Sequence, residues 1–376
     1  MRLWHREFWH LAVANLLLTM SVYMLIPVMP SWLTTHYTPS QALLSMVVYG
    51  IGLFALGGFC SYWVQRYRRN HVCLWAGIAL VASYAALYYG AGLHFAALLA
   101  VRFVNGMCFG LCQMVLMSTL IIDTCESFQR TEANHSATWF GRFALSLGPL
   151  AALLVAHFFE ASAVLLAAMI CQAVALLLVM TVNFPFRAPE ETTCTFSLDR
   201  FFLTEGRWLF LNLILFSIGV GIVLAIPHSI IFYCLMMVGF LVALLAQKFV
   251  FINAELKSEV VSGLFLVGCA LLMQLSHRDM ATDRLSPVFL GAGVGIVGAR
   301  FLLFFIKLSW HCQRGTSQST YFLAWETGLA LGIGMGCLGP FGDHRSIIFL
   351  SLGFIVAAWL MYQAFTHTWY VKHKNR

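Results

Sequence analysis

Charge is what this sequence has least of. Asp, Glu, Lys and Arg make up 10% of its 376 residues, against roughly a quarter in a soluble globular domain. With 61% hydrophobic residues and a mean hydropathy of +0.83, the chain has too little polar material to cover a water-facing surface. The apolar excess therefore faces lipid. Catalytic signatures are missing as well: there is no HExxH, no GxSxG and no pair of carboxylates inside an apolar run, which argues against a membrane-embedded enzyme. The eleven cysteines include no CxxC pair and fall mostly in apolar runs, so neither a disulfide framework nor a metal centre is expected. Cys108 and Cys112, one helical turn apart, read as core packing. No repeated filter-like segment suggests a channel, and no cofactor is expected.

What is there is a series of apolar runs, each near the ~20 residues that a helix rising ~1.5 Å per residue needs to cross a bilayer core. Six lie at Phe8–Trp32, Gln41–Tyr62, Val72–Tyr89, Phe95–Ile122, Ala137–Phe159 and Ala161–Val182. Six more lie at Trp208–Ile226, Ser229–Ala246, Val260–Leu275, Pro287–Leu308, Tyr321–Leu338 and Ile347–Phe365. The expected fold is an all-α polytopic membrane protein of twelve transmembrane helices in two six-helix bundles, 1–183 and 207–376. The first run is too long for a secretory signal and no small-residue cleavage site follows it, so it is expected to be retained. The polar segment 184–206 reads as a cytoplasmic linker. Within it, Phe196 to Leu203 is expected to lie along the membrane surface, aromatics toward lipid and charges toward water.

Positive charge is lopsided on this arrangement. One side holds sixteen of the 22 Lys and Arg, the other holds Arg278, Arg284 and Arg345, and Arg102, Arg142 and Arg300 lie inside spans. By the positive-inside rule both termini and the linker are cytoplasmic. The same bias accounts for the +7 net charge through topology and contact with membrane lipids, without nucleic acid. Two local matches suggest duplication. Trp139, Ala144, Leu145 and Gly148 recur as Trp325, Ala330, Leu331 and Gly334, an offset of 186; Gly57, Gln65, Arg66 and Tyr67 recur as Gly239, Gln247, Lys248 and Phe249, an offset of 182.

Three motifs resemble the major facilitator superfamily. After the second span, Gly58-Phe59-Cys60-Ser61 with Arg66 and Arg69 is similar to its G-x-x-x-D-x-x-G-R-x-x-R loop, with Tyr62 in place of the acid and Gln65 in place of the second glycine. Arg102-Phe103-Val104-Asn105-Gly106 resembles R-x-x-Q-G with Asn for Gln, and Gly141 to Gly148-Pro149 resembles the glycine-proline pattern of the exporter branch. The resemblance implies alternating access by a secondary active transporter, here expected to be a monomeric, proton-coupled antiporter of a small solute in a bacterial inner membrane. A drug-like amphipathic solute and an anionic one both fit. The alternative on the same fold is a lipid or lysolipid flippase.

Ionisable residues inside the membrane single out the candidate site, since each costs several kcal/mol unless paired or hydrated. Glu326 is the one acid well inside a span, and Arg300 lies at a comparable depth, so the two are expected to pair, with Arg142 as a second partner. Proton coupling, a static ion pair and substrate recognition are all open to Glu326. Arg102, Asn105, Phe109 and Gln113 share one face of the fourth span, and Asn15, Thr19 and Tyr23 form a stripe on the first. In the superfamily these spans line the central cavity, which implies substrate binding; interhelical hydrogen bonding is the competing role for Asn15 and Thr19, and carbonyl pairing for Arg102. Arg66 and Arg69 have Asp123 and Glu126 within reach as a cytoplasmic gate, or merely set topology. Glycines at 328, 332 and 336 and at 291, 295 and 298 give smooth faces for helix packing or sliding.

Overall fold

A computed structural model describes residues 3–90, 92–184, 194–251, 255–276, 280–338 and 344–375, without the side chains of His311 and His344. Arg2, Arg187, Arg278 and Arg376 of the charge count, and much of the linker, lie outside the described residues.

The described chain is helical, with no strand. Helix α1 (Arg6–Tyr23) stops where Pro27 removes a backbone donor, and a short helix, Met29–His36, restarts with Pro30 in its first turn. The expected first span is therefore broken. There follow α2 (Pro39–Arg66), α3 (Arg69–Tyr89), α4 (Phe95–Asp123), α5 (Arg130–Phe158) and α6 (Ala163–Met180). After the linker come α7 (Thr204–Leu224), α8 (Ile230–Phe249), α9 (Leu256–Leu275) and α10 (Met280–Leu308). Helices α11 (Arg314–Cys337) and α12 (Arg345–His373) complete the chain. A π-helical turn, Leu116–Leu120, interrupts α4.

Ten of these helices are long and apolar enough to cross a membrane. Helices α1 and α11 are not among them. Helix α1 opens with exposed Arg6 and Glu7 and carries buried Asn15 and Thr19, while on α11 Thr316, Ser317, Gln318, Ser319 and Thr320 are polar and buried. Helix α11 also starts seven residues before the expected span. That moves Glu326 from near a helix end to the helix middle.

Packing repeats with a shift of six helices. Helix α1 packs on α5 and α6, α2 on α4, and α3 on α4 and α6; likewise α7 packs on α11 and α12, α8 on α10, and α9 on α10 and α12. The two sets meet through α2 against α11 and α5 against α8, which is again an equivalent pair. The α2/α4 crossing is close because glycines remove the side chains: a Cβ on Gly52 would lie 2.4 Å from the Phe103 carbonyl, and one on Gly106 would lie 2.1 Å from that of Tyr49. At α8/α10, Gly239 stands 2.2 Å from the Val288 carbonyl and Gly291 2.1 Å from that of Met236 by the same measure. Gly52 and Gly239 are 187 positions apart and Gly106 and Gly291 are 185 apart. The structural register thus agrees with the offset of 186 and not with 182. The stripe at 328, 332 and 336 lies against α7.

The end where α2 meets α3 carries Arg66, Arg68 and Arg69. Here α4 and α11 touch, a Cβ on Gly315 falling 2.6 Å from the Ser118 carbonyl. Toward the other end α11 packs on α2, where a Cβ on Gly334 would fall 3.0 Å from Met46 and 2.9 Å from Leu43. The centre lies between these two contacts.

Candidate functional site

Two cavities occupy the centre, and Glu326 and Tyr23 line both. The first runs toward the far end and is walled by Met46, Tyr49, Leu80, Arg102 and Asn105. The second runs toward the arginine-rich end and is walled by Gln113, Thr138, Arg142, Gln318 and Tyr321 among others. Helix periodicity explains the second wall: Gln318, Tyr321 and Trp325 recur at three and four residues on α11, as Thr138, Arg142 and Leu145 do on α5.

Glu326 is 3% exposed and accepts a hydrogen bond from the Tyr23 hydroxyl. The Trp325 indole N–H donates to that hydroxyl at 3.1 Å, which fixes its orientation. Among the described residues no cation lies within ion-pair distance of the carboxylate. The expected partner is elsewhere: Arg300 pairs with Glu259, which is fully buried in the first turn of α9. Gly298 faces Arg142 and Tyr321 at the centre. Two residues further along α10, a turn of roughly 200° carries Arg300 to the opposite side. Arg300 therefore ties α10 to α9 and does not reach the cavities.

The two remaining intramembrane arginines do reach them. Arg142 donates from Nη2 to the Tyr321 hydroxyl at 3.2 Å and lies over the rings of Trp139 and Tyr321, 5.0 and 5.8 Å from their centroids. Its Nε and Nη1 are buried without a hydrogen-bond acceptor. Arg102 donates to Asn105 Oδ1 at 3.3 Å and to Met46 Sδ at 3.2 Å, lies 4.7 Å from the Tyr49 ring centroid, and leaves its own Nε without an acceptor. Unsatisfied donors on a charged group are costly to bury, so these nitrogens mark where an acceptor from outside would sit. Neither arginine pairs with main-chain carbonyls.

The other sequence candidates divide. Gln113 donates to Asn15 Oδ1 at 2.7 Å and to Thr19 Oγ1 at 3.2 Å, while Asn15 donates to the Ala137 carbonyl at 2.8 Å. These three side chains knit α1, α4 and α5 together and also wall the second cavity. Asn105 donates to the Ser83 hydroxyl on α3 and walls the first. Arg69 pairs with Asp123, joining α3 to α4 within one set of helices; Arg66 is exposed over the Tyr62 ring, and Glu126 is exposed. None of these bonds crosses between the two sets. At the arginine-rich end the two sets are bridged by Arg314 of α11, whose Nη1 donates to the Ser127 carbonyl at 3.2 Å, and by the linker, of which Phe196 and Leu198 remain 61% and 44% exposed. Asp199 accepts from Ser61 Oγ of α2 at 3.4 Å and from Thr316 Oγ1 of α11 at 3.1 Å. Nothing in the sequence near Asp199 announces this, since its partners are 138 and 117 residues away. Tyr49, Gln318 and Tyr321 also escaped the sequence reading, although the period of three and four on α11 was there to be followed.

A family profile described as Major Facilitator Superfamily matches residues 11–371. The chain belongs to this superfamily. Its fold is shared by solved structures across nearly the whole length of this superfamily member. The human organic anion transporter MFSD10 (TETRAN) is 15% identical, with a TM-score of 0.70, covering 95% of this chain and 99% of that one. The nucleoside transporter NupG, in a mutant form, is 12% identical, with a TM-score of 0.70, over 96% and 100%. A POT family peptide transporter is 12% identical, with a TM-score of 0.65, over 99% and 98%. At these identities the likeness concerns the fold. Among curated proteins, none matches the chain in sequence. The superfamily member is thus a polytopic membrane protein with the fold of transporters.

Proposed function

We propose that this protein carries a small organic anion across the membrane together with a proton, by alternating access of two six-helix bundles, 1–183 and 207–376. In this reading α1 and α11 cross the bilayer with the other ten helices, giving twelve spans, and the arginine-rich end and both termini face the cytoplasm. The observation that carries the proposal is the buried trio of Arg102, Glu326 and Arg142, whose side chains line cavities on either side of the carboxylate and whose arginines keep donors with no acceptor in the protein. The planar guanidinium fork suits a carboxylate, sulfonate or phosphate oxygen.

Charge counting gives the coupling its sign. With Glu326 ionised the trio carries one net positive charge; protonation raises this to two. An anion is therefore held more tightly when Glu326 carries a proton, and by reciprocity the anion raises proton affinity. That favours anion and proton travelling together over exchange of one for the other. In this closed arrangement the two cavities are narrow, so a solute enters only as one end opens.

The test is thermal stabilisation of the purified protein by aromatic monocarboxylates and by their uncharged amides, at pH 6 and pH 8. Carboxylates are expected to raise the Tm more at pH 6, amides to do nothing, and Arg142→Gln to lose the response. Equal stabilisation by acid and amide would remove the anion from the account.

A further inference from the structure

The linker between the two halves carries a feature that the loop after α2 lacks. We infer that residues 196–203 form a latch holding the arginine-rich end closed, with Asp199 and Arg200 as the groups that bridge the halves. The inference rests on the alternating-access reading above.

Two aromatics of the segment rest on α2, Phe201 partly buried and Phe196 61% exposed. A Cβ on Gly57 would fall 2.0 Å from the Phe201 ring, and one on Gly58 would fall 2.2 Å from the Phe196 ring. The two glycines of α2 thus form a cradle for two linker aromatics. The Ser197 amide donates to the Gly58 carbonyl at 2.9 Å, which registers the linker on the helix. Phe201 also meets Phe54 edge-on, at 6.3 Å between centroids.

From this seat the next two residues reach both halves. Asp199 accepts from Ser61 on α2 and from Thr316 in the first turn of α11, where a carboxylate is also favoured by the helix dipole. Arg200 donates from Nη1 to Thr119 Oγ1 in the π-helical turn of α4 at 2.9 Å, and from its backbone amide to Thr316 Oγ1 at 2.8 Å. Beyond it, the Leu203 amide donates to Thr320 Oγ1 at 2.7 Å. Arg200 is the one residue other than glycine with positive φ, 59°, among the described residues. An L side chain rarely adopts that conformation, and here it lets amide and guanidinium point to opposite helices. The bonds fall beside the contact of Gly315 with Ser118, where α4 and α11 close the second cavity from this end. Tyr62, next to Ser61, stands where the superfamily loop places its acid; Asp199 brings a carboxylate to the same corner from the linker.

Opening toward the arginine-rich end requires α11 to leave α4, so the linker must release either Ser61 and Thr119 on one side or Thr316 on the other. Hydrogen exchange on the full-length protein tests this. In Asp199→Asn and, separately, in Thr316→Val, deuterium uptake over 314–321 and 116–123 is expected to rise about fivefold, while uptake over 39–46 at the far end stays level or falls. Faster exchange at both ends together would mean general loosening and would overturn the latch, as would unchanged uptake over 314–321 in both variants. The readout needs no solute. A latch that fails here leaves anion stabilisation intact, and a failed anion screen leaves the exchange result intact.

Discussion

At the scale of single residues, the centre of the molecule is defined by what its charged groups do not have. Glu326 keeps one hydroxyl donor and no cation, and the two cavity arginines keep open nitrogens. A carboxylate so placed is tolerated as an anion only while compensating charge is near, which makes it responsive to a proton. In proteoliposomes Glu326→Gln is expected to abolish any dependence of solute flux on an imposed pH gradient, with the residual flux pH-independent. Tyr23→Phe removes the donor and leaves the acid. Loss of a hydrogen bond to a charged group, roughly 1.5–3 kcal/mol, predicts a weakening of solute affinity on the order of tenfold or more, measurable by titration. The pair of Arg300 and Glu259 behaves differently. Removing either partner alone is expected to destabilise the protein by about 3 kcal/mol or more in thermal unfolding, whereas replacing both with methionine costs far less. Equal losses in the single and double variants would contradict a purely structural pair.

At the scale of elements, the apolar runs were legible because lipid-facing helices have to be apolar along most of their length. The beginning of α11 was not. Its first turns, Thr316 to Thr320, are polar and yet buried, so hydropathy reads them as loop while the fold uses them to receive the linker and to wall a cavity. The same inversion explains the broken register. Matching residue identities at the end of α2 gave an offset of 182, but the spacing is set by glycine pairs at helix crossings, Gly52 with Gly106 and Gly239 with Gly291. Depth along a helix could be estimated from sequence for Arg300; its azimuth decided the partner, and only Gly298 two residues earlier hinted at it. Since a Cβ at Gly106 or Gly291 would fall within 2.1 Å of a carbonyl oxygen, Gly106→Leu and Gly291→Leu are each expected to lower stability by at least ~1–3 kcal/mol. Comparison of Tm for the two variants in one detergent checks this. Unchanged Tm at both positions would mean that the crossings are looser than described.

At the scale of the whole molecule, the repeated pairing of α1 to α6 in α7 to α12 gives two similar bodies joined through α2 with α11 and α5 with α8. Between them lie the trio and its two cavities, with helix contacts above and below. If proton and anion move together by alternating access, as proposed, the charge state of Glu326 biases which end is open. Electron–electron resonance distances measure this without a known solute. Labels introduced as noncanonical residues leave the eleven native cysteines in place. One pair goes at Phe128 and Trp310, 75% and 64% exposed at the arginine-rich end, and the other at Phe158 and Ile231, 73% and 63% exposed at the far end. Between pH 8 and pH 5.5 one distance is predicted to lengthen as the other shortens, and Glu326→Gln is predicted to hold the low-pH pattern at both values. Distances that stay fixed, or that change in the same sense at both ends, would contradict the claim.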